Sequence, residues 1–211
     1  MDIDKRNFTI VDVDGDGHKL QQYNRLLFCD SKKRIWAGGE MGISVFNQVG
    51  TSLLPNTDFQ IASVLKQAFV NCFYETSSGY LWIGTRNGLF ALKESDKQFL
   101  LYTTENGLPS NVIYGILEDA YGRLWISTNQ GLSCLNSESG KFRNFTIMDG
   151  LQGNQFNAGA YCRKDNGYML FGGVNGITSF RPETLIDNPY APKPVINKLF
   201  VHNKEVLPDD E

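Results

Sequence analysis

Gly79-Tyr80-Leu81-Trp82-Ile83-Gly84-Thr85-Arg86-Asn87-Gly88-Leu89 decides the fold, because the chain writes this stretch more than once. A close copy is Gly122-Arg123-Leu124-Trp125-Ile126-Ser127-Thr128-Asn129-Gln130-Gly131-Leu132. Two looser copies flank the pair, Lys33-Arg34-Ile35-Trp36-Ala37-Gly38-Gly39-Glu40-Met41-Gly42-Ile43 and Gly167-Tyr168-Met169-Leu170-Phe171-Gly172-Gly173-Val174-Asn175-Gly176-Ile177. The glycine of the second turn falls at 42, 88, 131 and 176, at spacings of 46, 43 and 45 residues. A repeat of that length suits one four-stranded propeller blade and is too long for a leucine-rich repeat.

Within each unit the pattern is that of short strands. Val112-Ile113-Tyr114-Gly115-Ile116-Leu117 is apolar and ends in Glu118-Asp119-Ala120-Tyr121-Gly122, whose Asp and Gly mark a hairpin turn. Leu124-Trp125-Ile126-Ser127-Thr128 is aromatic and β-branched, as strands prefer. Asn129-Gln130-Gly131 turns the chain into Leu132-Ser133-Cys134-Leu135, and a polar loop leads to Phe142-Arg143-Asn144-Phe145-Thr146-Ile147. The links repeat too, Glu105-Asn106-Gly107-Leu108-Pro109-Ser110-Asn111 matching Met148-Asp149-Gly150-Leu151-Gln152-Gly153-Asn154. The expected fold is all-β, a partial β-propeller of four four-stranded blades.

Composition agrees. The 211 residues are 41% hydrophobic and 20% charged, with 14 Phe, 9 Tyr, 3 Trp and 21 Gly, enough large side chains and turn residues for many short strands. A net charge of −3 speaks against a nucleic-acid partner. No apolar run approaches the roughly 18 residues of a membrane helix. Met1-Asp2-Ile3-Asp4-Lys5-Arg6 lacks the layout of a secretion signal, which in a piece of a longer chain would lie upstream. Cys29, Cys72, Cys134 and Cys162 form no CxxC pair and are read as separate buried thiols.

The unit D-x-x-G-x-L-W-I-G-T-x-x-G-L with its Gly-Leu-Pro-Ser-Asn link resembles the two-component regulator propeller repeat, over about residues 6 to 185. The resemblance implies the extracytoplasmic, here periplasmic, sensor region of a hybrid two-component system of Bacteroidetes type. It implies recognition of a carbohydrate-type signal relayed to a histidine kinase, within a membrane-anchored parent. A Tyr-rich β-sandwich follows the propeller in that family, and Pro192-Lys193-Pro194-Val195-Ile196-Asn197-Lys198-Leu199-Phe200-Val201 resembles its first strand. Residues 1–186 are therefore expected to form blades, and 187–211 a linker and the first strand of a truncated sandwich.

Other motifs point away from chemistry. Asp12-Val13-Asp14-Gly15-Asp16-Gly17 has the form of a calcium loop, but Tyr23 stands where the bidentate Glu belongs. It reads as a solvated loop, and no metal is assigned. Trp36, Trp82 and Trp125 recur at one place in the repeat and read as packing between blades rather than as sugar platforms. His18 and His202 sit in no Ser/His/Asp or H-E-x-x-H context, so no catalytic residue and no cofactor is assigned.

Loops entering and leaving the innermost strands ring a propeller's channel and are free to vary. On that topology the candidate ligand contacts are Asn111 and Tyr114 in one blade, and Asn154, Asn157, Tyr161 and Arg163 in the next. Asn111 and Asn154 have a competing reading, as hydrogen bonds that fix the links. The expected partners are an oligosaccharide and a second copy of the chain, with a scaffold or dimerisation propeller lacking its own ligand site as the alternative. The fourth unit looks short of an outer strand, and residues 7–11, which parallel 144–148, are expected to pair alongside 176–180.

Overall fold

The computed structural model describes residues 24–50, 52–56, 58, 60–93, 98–185, 198–202 and 204–206. The expected pairing of residues 7–11 and the Asp-rich loop at 12–17 lie outside the described residues.

Four antiparallel meanders follow one another. The first blade is β1 (Asn24–Cys29), β2 (Arg34–Gly39), β3 (Gly42–Val49) and β4 (Ser52–Pro55). The second is β5 (Val70–Glu75), β6 (Tyr80–Thr85), β7 (Leu89–Lys93) and β8 (Gln98–Tyr102). The third is β9 (Ile113–Glu118), β10 (Leu124–Thr128), β11 (Gly131–Asn136) and β12 (Lys141–Phe145). The fourth is three-stranded among the described residues, β13 (Phe156–Arg163), β14 (Met169–Gly173) and β15 (Gly176–Phe180). A short helix, α1 (Gln60–Val64), interrupts the first link, and β16 (Leu199–Val201) pairs with β17 (Lys204–Val206) as a separate hairpin.

The repeated glycine is required by its backbone at all four positions and by close packing as well at Gly42, Gly88 and Gly131. Gly42, Gly88, Gly131 and Gly176 have φ of 102°, 131°, 115° and 126°, a region an L side chain rarely adopts. A Cβ on Gly131 would also run into the carbonyl oxygen of Phe145, and one on Gly42 into that of Leu65.

Each of the first three blades buries its tryptophan against the next. Trp36, Trp82 and Trp125 are 0, 3 and 1% exposed. Trp36 meets Phe73 of the second blade, Trp82 joins Ile113 and Ile116 of the third, and Trp125 lies 4.7 Å from the ring of Phe180 in the fourth. The core is thus three slabs between four blades, not one continuous interior.

A carboxylate fixes two of these indoles. Asp30 accepts hydrogen bonds from Arg34 Nε at 2.6 Å and Trp36 Nε1 at 2.9 Å, and from the backbone amides of Lys32 and Arg34. Asp119 repeats the pattern with Arg123 Nε at 2.7 Å, Trp125 Nε1 at 3.0 Å and the amides of Tyr121 and Arg123. A second device joins neighbours. Glu75 accepts from the amide and hydroxyl of Ser31, both at 2.7 Å, and Glu118 from those of Ser77, both at 2.9 Å.

The cysteines correct one expectation. Cys72 and Cys134 are buried, but Cys29 and Cys162 are exposed. Cys72 sits in the slab between the second and third blades and Cys134 in that between the third and fourth. Cys29 and Cys162 belong to the first and last blades, where Leu27 and Ile177 are also exposed, at 78% and 67%. Strand alternation points half of such a strand's side chains away from the one neighbouring blade.

Candidate functional site

The first strand of each blade is the innermost, since β9 packs on β5 at one side and β13 at the other, and β5 also reaches β1. Each carries an irregularity at its entering end. In β1 the register shifts between Asn24 and Leu26, in β5 between Val70 and Cys72, in β9 between Ile113 and Gly115 opposite Thr128 and Ser127. The extra residues are Arg25, Asn71 and Tyr114. In β13 the departure is larger, residues 157–160 lying between the Phe156 and Tyr161 pairings. A bulge frees one residue from the ladder and re-aims its side chain, a device common beside functional sites. The four irregularities therefore lie at one end of the inner strands, the mouth of the arc of blades.

Of the six residues expected from sequence, Tyr114 and Asn157 lie at this mouth. Tyr114 is half-buried and Asn157 exposed. Tyr161 stands deeper, its ring filling the space over Gly115 of the third blade and stacking on Phe171 at 6.5 Å. Burial pushes its hydroxyl well above the usual tyrosine range, with the nearby Cys72 adding to the shift. Arg163 is at the opposite, leaving end of β13, donating from Nη1 to the carbonyl of Glu118 at 2.9 Å. It occupies the place that Glu75 and Glu118 hold in earlier blades.

Asn111 and Asn154 are built into the links. The Oδ1 of Asn111 accepts from the amide of Thr104, and that of Asn154 from the amide of Ile147, both at 2.8 Å. Each bonds the first amide of a 3-10 turn whose N-terminal end is also closed by a Thr box, Thr103 with Asn106 and Thr146 with Asp149. The structure thus separates the six into two mouth residues, one packed ring, one far-end arginine and two link anchors.

Sequence reasoning passed over Arg25 and Asn71. A signal was available, for both stand eleven residues before the blade's Trp, as Tyr114 does. Asn71 is buried and donates from Nδ2 to the carbonyl of Ile113 at 2.8 Å, tying two inner strands together. Arg25 pairs with Glu40 at 2.7 Å.

The family described as two component regulator propeller matches residues 65–87 and 107–130, each ending in the turn after the Trp strand. The chain carries two-component regulator propeller repeats. The propeller repeats are 30% identical over 185 residues to Histidine kinase P4 of Formosa agariphila, covering 86% of this chain and 14% of that protein. They superpose on the extracellular domain of the hybrid two component system BT3049 of B. thetaiotaomicron with a TM-score of 0.74 and 26% identity, over 90% of this chain and 26% of that one. The extracellular domain of BT4673, from the same organism, gives 0.58 and 25% over 75% of this chain and 24% of that one. The chain thus spans between 14% and 26% of the length of these relatives. No helix among the described residues is long and apolar enough to cross a membrane.

Proposed function

We propose that these blades belong to an extracytoplasmic, periplasmic sensor region that takes a carbohydrate-type ligand at the bulged mouth of the channel. The signal would pass to a histidine kinase in the same membrane-anchored protein. The observation that carries the reading is the alignment of the irregularities in β1, β5, β9 and β13 at one end of the inner strands. The likeness to the extracellular domains of BT3049 and BT4673 supports the location. Tyr114 offers an aromatic face and Asn157 an amide, the two groups a pyranose uses most readily, by stacking and by paired hydrogen bonds. Residues 1–186 are assigned to the propeller, and the β16–β17 hairpin to the start of the following domain.

Calorimetry against a panel of oligosaccharides tests the proposal. Heat of binding that is lost in Tyr114→Ala and Asn157→Ala, with melting unchanged, is the expected result. Absence of heat across the panel would leave a scaffold reading in its place. That reading draws on the exposed apolar side chains of the two outer blades, Leu27, Val174 and Ile177 among them, through which a second copy would associate. Light scattering that finds only monomer at every concentration would remove it.

A further inference from the structure

At the seam between the first two blades, two guanidiniums share one phenyl ring. Arg86, from the turn between β6 and β7, lies with its guanidinium carbon 3.7 Å from the centroid of Phe69, in the link just before β5. Arg25, from the β1 bulge, approaches the same ring to 5.5 Å. The amide of Arg86 also donates to the carbonyl of Phe69 at 3.0 Å, so the stacked pair is anchored through backbone as well as side chain. Two like charges on one ring are held by structure, since their mutual repulsion opposes the arrangement.

Their charges are unequally balanced. Arg25 Nη2 lies 2.7 Å from Glu40 Oε1, whereas no carboxylate pairs with Arg86 among the described residues. Arg25 and Glu40 keep side-chain exposures of 62% and 34%, so this pair is open to competition from solution. Stacking on Phe69 occupies the face of the Arg86 guanidinium and leaves its N–H edge for a planar or tetrahedral anion. Both arginines belong to the entering end of their blades, the end that carries the irregularities of β1 and β5.

We infer that Arg86, with Arg25 beside it on Phe69, forms an anion subsite that selects a carboxylate- or sulfate-bearing sugar over a neutral one. The inference rests on the carbohydrate reading above and names its ligand class. Glu40 acts as an internal competitor, occupying Arg25 until an anionic group displaces it.

The 211-residue protein is titrated in parallel with oligogalacturonate, a sulfated galactan oligosaccharide and a neutral galacto-oligosaccharide, and separately with inorganic sulfate followed by melting temperature. Acidic sugars should bind at least tenfold more tightly than the neutral one, with affinity falling as salt rises. Arg86→Ala should erase that preference and leave neutral binding unchanged, Arg86→Lys should keep part of it, and Glu40→Gln should strengthen acidic binding severalfold. The stronger of the two acidic arms identifies the anion. Equal binding of acidic and neutral sugars, unaltered by Arg86→Ala, overturns the inference while the sensor reading stands. If no sugar binds yet sulfate raises the melting temperature in the wild type and not in Arg86→Ala, the anion subsite stands and the carbohydrate reading falls. Silence toward acidic sugars and sulfate alike overturns the subsite.

Discussion

Trp82 and Thr76 occupy the positions at which Trp36 bonds Asp30 and Trp125 bonds Asp119, but the buried Nε1 of Trp82 has no hydrogen-bond partner among the described residues. The Thr76 hydroxyl turns instead to Ser78 and to the backbone of Tyr80. The second blade thus keeps the indole for packing and lacks the carboxylate that orients it. Restoring the pattern with the double substitution Thr76→Asp/Tyr80→Arg should stabilise the protein by about 1–2 kcal/mol, because a buried donor gains a charged acceptor that is itself paired. Urea unfolding measures this, and a lower midpoint would show that the network depends on its own blade.

The same contrast separates packing from hydrogen bonding in the tryptophans. Trp82→Ala and Trp125→Ala should each cost about 3–5 kcal/mol, the cost of emptying a large core site. Trp125→Ala should cost more, since it also removes a partner from the buried Asp119. Equal losses would mean that the indole N–H contributes nothing.

Gly115 and Tyr161 make the third and fourth blades fit. A Cβ on Gly115 would collide with the Tyr161 ring, although the glycine is not in the positive-φ region. Gly115→Ala should destabilise by about 1–3 kcal/mol through overpacking. Adding Tyr161→Val should return part of that loss, giving a non-additive double-mutant cycle. Strict additivity would place the strain elsewhere.

Asp30 makes the first blade sensitive to acid. Burial works to raise its carboxyl, but the hydrogen bonds from Trp36 and Arg34 and the Arg34 charge outweigh it and hold it below the usual range. A lowered folded-state value gives stability that is complete above the unfolded value near ~3.9 and is lost as pH falls through the folded one. Asp30→Asn should cost about 1–3 kcal/mol near neutral pH, and should flatten the loss of stability below about pH 4. Parallel acid-melting curves for the two proteins would sink this assignment.

Much of the architecture could be read directly. The strands expected at 124–128 and 132–135 appear as β10 and β11, with the turn glycines where the repeat puts them. The fourth blade does end at β15 among the described residues, as the short last unit suggested. The Cys29 and Cys162 thiols were misjudged because burial in a propeller depends on whether a blade has a neighbour on that side. No pattern within a strand states that.

Spacing by itself determined the blades. A motif returning at 46, 43 and 45 residues, with glycine in each second turn, admits one unit of supersecondary structure per repeat, since neither the turn nor the close approach tolerates a side chain. Tertiary structure decided which polar residues stand at the mouth and which hold the fold. Asn111 and Asn154 carry two readings in the sequence, ligand contact or link anchor, and the structure shows their Oδ1 atoms accepting from amides seven residues back, as the link reading expects. Arg25 and Arg86 are 61 positions apart in the sequence and share one ring only because adjacent blades bring the β1 bulge beside the link before β5. Repetition fixes local geometry, whereas a site is made where neighbouring repeats meet and their differing residues come into contact.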